Sequence, residues 1–158
     1  MRHPTFGGIA CACVLLIANP QKPPSIKGLI PYWTAIHDET GHCRFSIPPT
    51  WQADAAAGSE IASAPDGSVT LEQWWVAASD WPSYKAEARH LLHPIAVHED
   101  SARRLYFAYA AGWPGDHLFV AVPAASGVCA THIDIRPGGS AAQQATLQRI
   151  INSIVALE

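Results

Sequence analysis

The sequence lacks every short motif that would assign a reaction to it. It contains no G-x-S-x-G nucleophile elbow, no glycine-rich phosphate loop and no H-E-x-x-H zinc motif. Ser59 follows Gly58, but its surroundings do not predict the strand–turn–helix setting that a serine nucleophile needs. The chain therefore carries no recognisable chemical signature, and we expect no cofactor.

Positive charge is scarce after residue 31. The segment 32–158 contains thirteen acidic residues against seven basic ones, so its net charge is about −6. An acidic domain without a basic patch repels the phosphate backbone of nucleic acids. Nucleic acid is thereby excluded as an expected partner. The seven basic residues are Arg44, Lys85, Arg89, Arg103, Arg104, Arg136 and Arg149.

Long hydrophobic runs are missing as well. The apolar stretch Phe6–Ala18 is shorter than the roughly 20 residues that a membrane-spanning helix needs. Its basic start and the Asn-Pro break that follows it are typical of an export signal. We therefore predict a signal-like segment over residues 1–21, a Pro-rich linker over 22–31 and a single domain over 32–158. The expected location is periplasmic or secreted.

Three alternatives to a cleaved export signal stay open. Cys11 and Cys13 each follow an alanine, as a lipidated cysteine follows a small residue, although the apolar run continues past both. The N-terminus could instead hold the exported protein at a membrane surface in peripheral association. In a cytoplasmic protein the same run would be a buried helix or strand. The pair Gly7-Gly8 and the lack of a polar face argue against a surface helix.

Cysteine is also rare, since only Cys43 and Cys129 lie in the predicted domain. Two cysteines in an oxidising compartment favour a single disulfide. In the predicted strands, Cys43 shares a face with Phe45 and Ile47. Cys129 shares a face with Ile133, so both thiols point to the apolar side of a sheet. Two buried free thiols, which pack as small apolar groups, are the alternative.

The rest of the sequence alternates between short strands and two helices. Turn signals such as Pro65-Asp66-Gly67 separate segments that lie too close together for parallel crossovers, so we expect antiparallel pairing. Pro48-Pro49 should end the second strand, because proline cannot donate to a ladder. The predicted strands cover residues 32–37, 42–47, 60–63, 68–78, 95–99, 103–110, 117–122 and 128–135.

The two predicted helices complete an α+β domain. Asp80 or Ser79 can cap a helix over 81–92, and Pro82 suits its first turn. A capping box at Ser140–Gln143 begins the last helix, whose apolar residues fall at helical spacing. We therefore predict an antiparallel sheet of about six or seven strands flanked by helices. The apolar residues of the last helix are Leu147, Ile150, Ile151 and Ile154.

Three short stretches match a known domain pattern. Cys43–Trp51 contains a phenylalanine, an apolar residue, a proline and a tryptophan in the order of an opening strand, and Ala64–Val69 contains a proline-aspartate-glycine hairpin. Leu147–Val155 is similar to a closing helix that ends in a serine. Together, over about residues 42–156, they resemble PsbP-like domains (the PsbP, Mog and DcrB–LpqN type). The resemblance implies an α/β/α sandwich with an amphipathic C-terminal helix, and binding or assembly rather than catalysis.

Histidine is abundant for a chain of this length. His90 and His93 share a face near the end of the first helix, and with His98 or Glu99 they could ligate zinc or copper. A histidine at a helix C-terminus also suits the helix dipole without any metal. We therefore name no metal ligand. The histidines of the domain are His37, His42, His90, His93, His98, His117 and His132.

A second group of polar residues falls on neighbouring predicted strands. His132 and Asp134 alternate on one strand, on the face opposite Cys129. With His117 on the preceding strand they form a polar patch that could hold a general acid–base pair. A solvated sheet face explains the same residues without chemistry.

Tryptophan is the most suggestive residue type, with six copies in the chain. Trp74 and Trp75 are adjacent on a strand, so they point to opposite faces. Trp113 lies in a Gly-Pro turn, where we expect it to be exposed. Because tryptophan is enriched at binding hot spots, Trp74, Trp75, Trp81 and Trp113 are the candidate binding residues. Ordinary core and edge packing is the alternative.

Three functional hypotheses remain. The first is a non-enzymatic, exported bacterial envelope protein that binds a protein partner or a small apolar ligand through an aromatic groove. The second is an immunity or accessory protein of a bacterial secretion system, whose acidic surface docks a basic effector. The third is a metal-dependent enzyme that uses clustered histidines. The acidic surface of the second hypothesis includes Asp38, Glu39, Glu99, Asp100 and Asp116.

Overall fold

The structure, a computed structural model, describes residues 32–56, 58–78, 80–138 and 140–157. The predicted signal-like segment (1–21), the linker (22–31) and the two N-terminal cysteines lie outside the described residues. Among the helices within those ranges, none is long and apolar enough to cross a membrane.

Strands outnumber helices in the described chain, and together they form an α+β domain, as predicted. The helices are α1 (Trp81–Leu92) and α2 (Ala141–Ser153). The strands are β1 (Thr34–His37), β2 (Cys43–Ile47), β3 (Gln52–Ala56), β4 (Ser59–Ser63), β5 (Val69–Ala77), β6 (Pro94–Asp100), β7 (Leu105–Tyr109), β8 (Asp116–Pro123), β9 (Gly127–Ile135) and β10 (Val155–Ala156).

Seven of the strands form one antiparallel sheet in the order β3-β4-β5-β9-β8-β7-β6. Strands β3, β4 and β5 follow one another from one edge of the sheet towards its centre, and α1 then connects β5 to β6 at the opposite edge. From there it returns strand by strand to β9, which pairs with β5 from Val69 opposite Ile135 to Ala77 opposite Gly127. This route explains why α1 crosses one face of the sheet.

A second, smaller antiparallel sheet has the order β1-β2-β10. The strands predicted over 32–37 and 42–47 are present as β1 and β2, and they pair antiparallel as expected, with Ile36 opposite Phe45. Its turn is tied back on itself, because the Asp38 carboxylate accepts a hydrogen bond of 2.6 Å from the Cys43 backbone N–H. Gly41 has a φ of 74°, in the left-handed region that glycine tolerates best.

The two faces of the seven-stranded sheet bury different partners. On the α2 face, Leu71, Val120 and Ile133 pack against α2 and β2. On the opposite α1 face, Phe107 and Phe119 pack against α1. Each fully buried apolar side chain of this size contributes roughly 1.5–3 kcal/mol, so both faces stabilise the domain. The side chains of β2, of α2 and of the α2 C-cap that pack on this face are Phe45, Ile47, Leu147, Ile150, Ile151 and Ile154.

A disulfide joins the two sheets. Cys43 on β2 and Cys129 on β9 are bonded, with their Cα atoms 5.5 Å apart, and both residues are fully buried. The single disulfide expected from the sequence is therefore present. The two strands are not neighbours within one sheet, since β2 and β9 belong to different sheets. The bridge thus fixes how the small sheet stacks on the large one.

The strand pattern differs from the prediction in two places. Pro48-Pro49 does end β2, but the chain then forms another strand, β3, which pairs with β4 and has no second partner among the described strands. This strand was not predicted, because Pro48-Pro49 marks only the end of β2 in the sequence. A short strand that was not predicted, β10, follows α2 and pairs with β2 through Val155 and Ala156. The single predicted sheet is two sheets in the structure, because the predicted strands at 32–37 and 42–47 lie in the smaller sheet and the other six lie in the larger one.

Candidate functional site

Helix α1 is well defined at both ends by local interactions. Asp80 is the N-cap and accepts a hydrogen bond of 2.9 Å from the backbone N–H of Ser83. Pro82 lies in the first turn, where its missing N–H costs nothing. At the other end His93 adopts the left-handed conformation with a φ of 50° and donates its backbone N–H to the carbonyl of Arg89. The helix therefore has the bounds that the sequence predicted.

The two sides of α1 carry different residues. Lys85 and Arg89 are four residues apart on the side that faces β6, and both pair with Asp100. Glu87 and Leu91, also four apart, form a second row that lines an open groove. The ion pairs hold α1 towards the β6 edge of the sheet, and the groove lies on its other side, towards β5.

The groove between α1 and the sheet has a volume of about 550 Å³. Its floor is formed by side chains of β5, β8 and β9, and its wall by α1. Ligand sites commonly have volumes of roughly 300–1,000 Å³, mostly apolar walls and a few polar groups. The groove fits that description. The described lining residues are Trp74, Val76, Ala77, Ala78, Asp80, Ser83, Tyr84, Glu87, Ala88, Leu91, Leu92, Phe119 and His132.

His132 lies on the groove floor among aromatic rings. The centroid of its ring is 4.9 Å from that of Trp74, 5.3 Å from that of Phe119 and 5.5 Å from that of Tyr109. Burial lowers the pKa of His132, and the nearby carboxylates offset this only in part. At neutral pH the imidazole is therefore neutral and adds no positive charge to the floor.

Burial also affects Tyr84, the aromatic side chain that α1 contributes to the wall. It raises the pKa of the Tyr84 phenol to about 12, and the neighbouring Glu87 acts in the same direction. Tyr84 therefore stays neutral over the whole physiological range. The groove consequently combines three aromatic rings, a neutral imidazole and a short acidic rim.

His117 and Asp134 are brought together, as the strand pattern predicted. They are opposite residues on β8 and β9, and His117 Nδ1 lies 2.6 Å from Asp134 Oδ1. The other ring nitrogen, Nε2, lies 3.2 Å from the backbone carbonyl oxygen of Trp113. Both oxygens can only accept hydrogen bonds, so the doubly protonated imidazolium is the form that satisfies both.

The titration of His117 agrees with this geometry. Burial by itself would lower its pKa, but the hydrogen bonds to Asp134 and to the Trp113 carbonyl outweigh that effect, helped by the negative charge of Asp116. The pKa of His117 is therefore raised above its usual 6.5. The paired Asp134 and the Trp113 carbonyl therefore favour the charged form of His117 more than water does.

This arrangement makes His117 a clamp rather than a general base. Its side chain is almost fully buried, unlike the residues of a solvated sheet face, because the turn that carries Trp113 lies against it. With both ring nitrogens engaged, His117 has no free lone pair with which to abstract a proton. Its evident effect is to tie the β7–β8 turn to β9.

The four candidate tryptophans do not form one surface. Trp74 lines the groove, and Trp81 packs nearby, stacked on Tyr84 at 6.0 Å with its indole N–H donated to a backbone carbonyl. Trp113 is 60% exposed in the β7–β8 turn. Trp75 lies on the opposite face, where its ring covers Gly127 so closely that a Cβ there would collide with it. Among the four, Trp74 alone lines the groove.

The histidines considered as metal ligands do not converge on one site with a third ligand among the described residues. The ring centroids of His90 and His93 are 6.2 Å apart at the end of α1, whereas His98 contacts Tyr106 on β7. In the ranges that the structure describes, no group of three or more histidine, cysteine or carboxylate side chains could hold a metal ion.

Buried polar groups also lie on the α2 face, away from the groove. Gln73 is fully buried; its Nε2 donates to Thr131 Oγ1 at 3.2 Å, and its Oε1 has no partner among the described residues. Glu60 is opposite Gln73 and nearly buried. Burial raises the pKa of Glu60, and the charges of Glu39 and Asp38 raise it further. These groups bear on stability rather than on the groove.

Phe119, Tyr84 and Glu87 lie in the groove but were not predicted as members of a common site. The strand predicted over 117–122 is apolar on both faces, which indicates burial on both. That signal could have shown that Phe119 lies under a helix. The sideways position of α1, which decides which of its residues reach the sheet, is not encoded in local patterns.

Comparisons with known proteins add no assignment. No protein-family model matches this chain, and no curated protein matches it in sequence. Its function is therefore inferred from the geometry of the groove and of the residues around it.

Proposed function

We propose that this protein is an exported, non-enzymatic binding protein with a PsbP-like domain, and that it holds a small, largely apolar molecule in the groove between α1 and the seven-stranded sheet. The groove itself is the observation that carries the proposal. It has the volume of a small-molecule site, aromatic side chains from three different elements, and few polar groups.

The disulfide supports export. Disulfides form and persist in the periplasm or outside the cell, and they are rare in the cytosol, where thiols are kept reduced. A buried bridge between Cys43 and Cys129 therefore suggests an oxidising compartment. The signal-like sequence over residues 1–21 points the same way.

The engagement of His117 supports a binding role over a catalytic one. Its two ring nitrogens face Asp134 and the Trp113 carbonyl, so the most promising acid–base pair of the sequence acts as a structural clamp. The neutral imidazole of His132 lies among aromatic rings on the groove floor, a setting that suits contact with a ligand.

Docking of a basic effector on an acidic surface has less support. Asp38 is buried and accepts hydrogen bonds from its own turn, and Asp100 is paired with Lys85 and Arg89. Two of the five acidic residues that this hypothesis requires are thus already committed within the domain. A protein partner remains the alternative occupant of the groove.

Titration with a neutral, fluorescent, apolar probe tests the proposal. N-phenylnaphthylamine should gain fluorescence on binding the full chain with saturable, one-to-one stoichiometry. Leu91→Gln should weaken binding, because Leu91 lines the groove and is 66% exposed, so that the substitution spares the core. We expect a loss of affinity of about fivefold, the equivalent of roughly 1 kcal/mol of apolar contact.

A matched control distinguishes the groove from general surface hydrophobicity. Ile95→Gln removes a similarly exposed apolar side chain. Ile95 is 70% exposed on the edge strand β6 and does not line the groove. Its affinity for the probe should equal that of the wild-type protein. Absence of saturable binding, or equal losses in Leu91→Gln and Ile95→Gln, would contradict the proposed function.

A further inference from the structure

The charged side chains among the described residues that line the groove are all acidic. The described lining residues include two carboxylates, Asp80 and Glu87, and no lysine or arginine. The basic residues of α1, Lys85 and Arg89, lie on its other side, where both pair with Asp100. An anionic ligand would therefore meet only negative charge at the rim, whereas a cation would find partners there.

The aromatic side chains add a second attraction for positive charge. Trp74, Tyr84 and Phe119 line the same groove. A cation over the face of an aromatic ring is attracted by the ring quadrupole, most strongly by that of tryptophan. A ring-lined groove with an acidic rim is thus complementary to a molecule with an apolar body and one positive charge.

His132 does not counteract this complementarity. A protonated imidazole on the floor would repel a cation, but burial among Trp74, Phe119 and Tyr109 keeps it neutral at neutral pH. The floor therefore contributes rings without positive charge, and a neutral imidazole nitrogen can accept a hydrogen bond from an ammonium group.

We infer that the ligand of this groove is a small organic cation, with an aromatic or aliphatic body against Trp74 and Phe119 and a charged nitrogen near Glu87. This inference rests on the proposed function, since it names the class of ligand that the groove takes. It excludes fatty acids and other anionic amphiphiles as preferred ligands.

Three probes with one skeleton test the charge preference. Naphthylmethylamine, naphthylmethanol and naphthoate are respectively cationic, neutral and anionic at pH 7, and each is used to displace N-phenylnaphthylamine from the full chain. We expect the amine to displace the dye about threefold to tenfold better than the alcohol, and the naphthoate to be the weakest. The advantage of the amine should shrink as salt is added, because exposed charges are screened.

Glu87→Gln locates the preference in the groove. The substitution should lower the affinity for the amine by up to about fivefold and leave the affinity for the alcohol unchanged, since it removes a charge without removing apolar contact. Glu39→Gln is the matched control; it changes the net charge equally at an exposed turn of the small sheet, outside the groove lining. In that variant the amine should bind as it does to the wild-type protein.

The possible failures are distinguishable. If the dye binds but the amine displaces it no better than the alcohol, or if Glu87→Gln and Glu39→Gln behave alike, the inference of a cationic ligand is overturned while the proposed binding function stands. If the dye does not bind at all, the proposed function itself is overturned, and the inference falls with it.

Discussion

Reduction of the Cys43–Cys129 disulfide should lower the free energy of unfolding by several kcal/mol. The bridge joins residues 86 positions apart. Closing a loop of that length removes conformational entropy from the unfolded chain, which amounts to about 4–5 kcal/mol at 25 °C in the chain-entropy relation. Single domains are stable by only about 5–15 kcal/mol in total, so the reduced protein should be close to marginal.

Urea unfolding followed by tryptophan fluorescence, with and without a reductant, measures this difference. The midpoint should fall on reduction, and the slope of free energy against urea should rise, because the reduced unfolded chain is more expanded. Reducing the native chain is cleaner than mutation alone, because no side-chain atoms are lost. The intact mass, which rises by two hydrogens on reduction, reports the state of the bridge.

The double variant C43A/C129A is the control, because its midpoint should be insensitive to the reductant. If the oxidised and reduced wild-type proteins unfold at the same urea concentration with equal slopes, the reasoning is refuted. The two sheets would then be held together by packing alone, through the apolar cluster that Phe45 and Ile47 form with Leu71 and Ile133.

Three further predictions concern ionisable and capping residues. Because the pKa of His117 is raised, its contribution to stability is complete below pH 6.5 and is lost as the pH rises through the folded-state pKa. The stability difference between the wild-type protein and His117→Gln should therefore shrink as the pH increases. The raised pKa of Glu60 likewise means that stability is lost as the pH rises, here because burial and neighbouring carboxylates disfavour the charged form, so Glu60→Gln should stabilise the protein at pH 7 and have no such effect below pH 4.5. Ser140→Ala should cost about 1 kcal/mol, because Ser140 and Gln143 cap α2 reciprocally.

Urea midpoints as a function of pH check the first two predictions, and His132 does not interfere because it is present in both members of each pair. A stability difference for His117→Gln that grows with pH would contradict the clamp. If Glu60→Gln instead lowers the stability at pH 7, the surroundings stabilise the negative charge of Glu60 and the prediction is wrong. For α2, Ser140→Thr should retain the stability that Ser140→Ala loses.

The sequence predicted the local elements well because their signals are local. The bounds of α1 follow from Asp80, Pro82 and the His93-Pro94 pair, all within a few residues of the helix ends. The strand partners could not be read in this way, because β5 and β9 lie on either side of α1 and three other strands. The separate sheet of β1, β2 and β10 was missed for the same reason.

Some features of the candidate site were likewise predictable from local sequence patterns, and others were not. The His117–Asp134 pair was predictable, because adjacent strands place alternating residues side by side. The engagement of His117 by the Trp113 carbonyl was not, because it depends on how the β7–β8 turn folds back. Trp74 and Trp75 lie on opposite faces of β5, as predicted, but the neighbours of Trp74 in the groove, Tyr84 and Phe119, depend on where α1 lies.

The position of the groove follows from the unequal widths of the sheet and its cover. Seven strands span about 30 Å, whereas one helix with its side chains is about 10–12 Å across. On the α2 face, a helix and a second sheet share the task of covering this width. On the α1 face a single helix covers the sheet. The ion pairs of Asp100 with Lys85 and Arg89 hold that helix near the β6 edge. The apolar surface of β5 is then left beside the helix rather than beneath it, and Trp74 lies at that boundary, where a ligand can complete the burial.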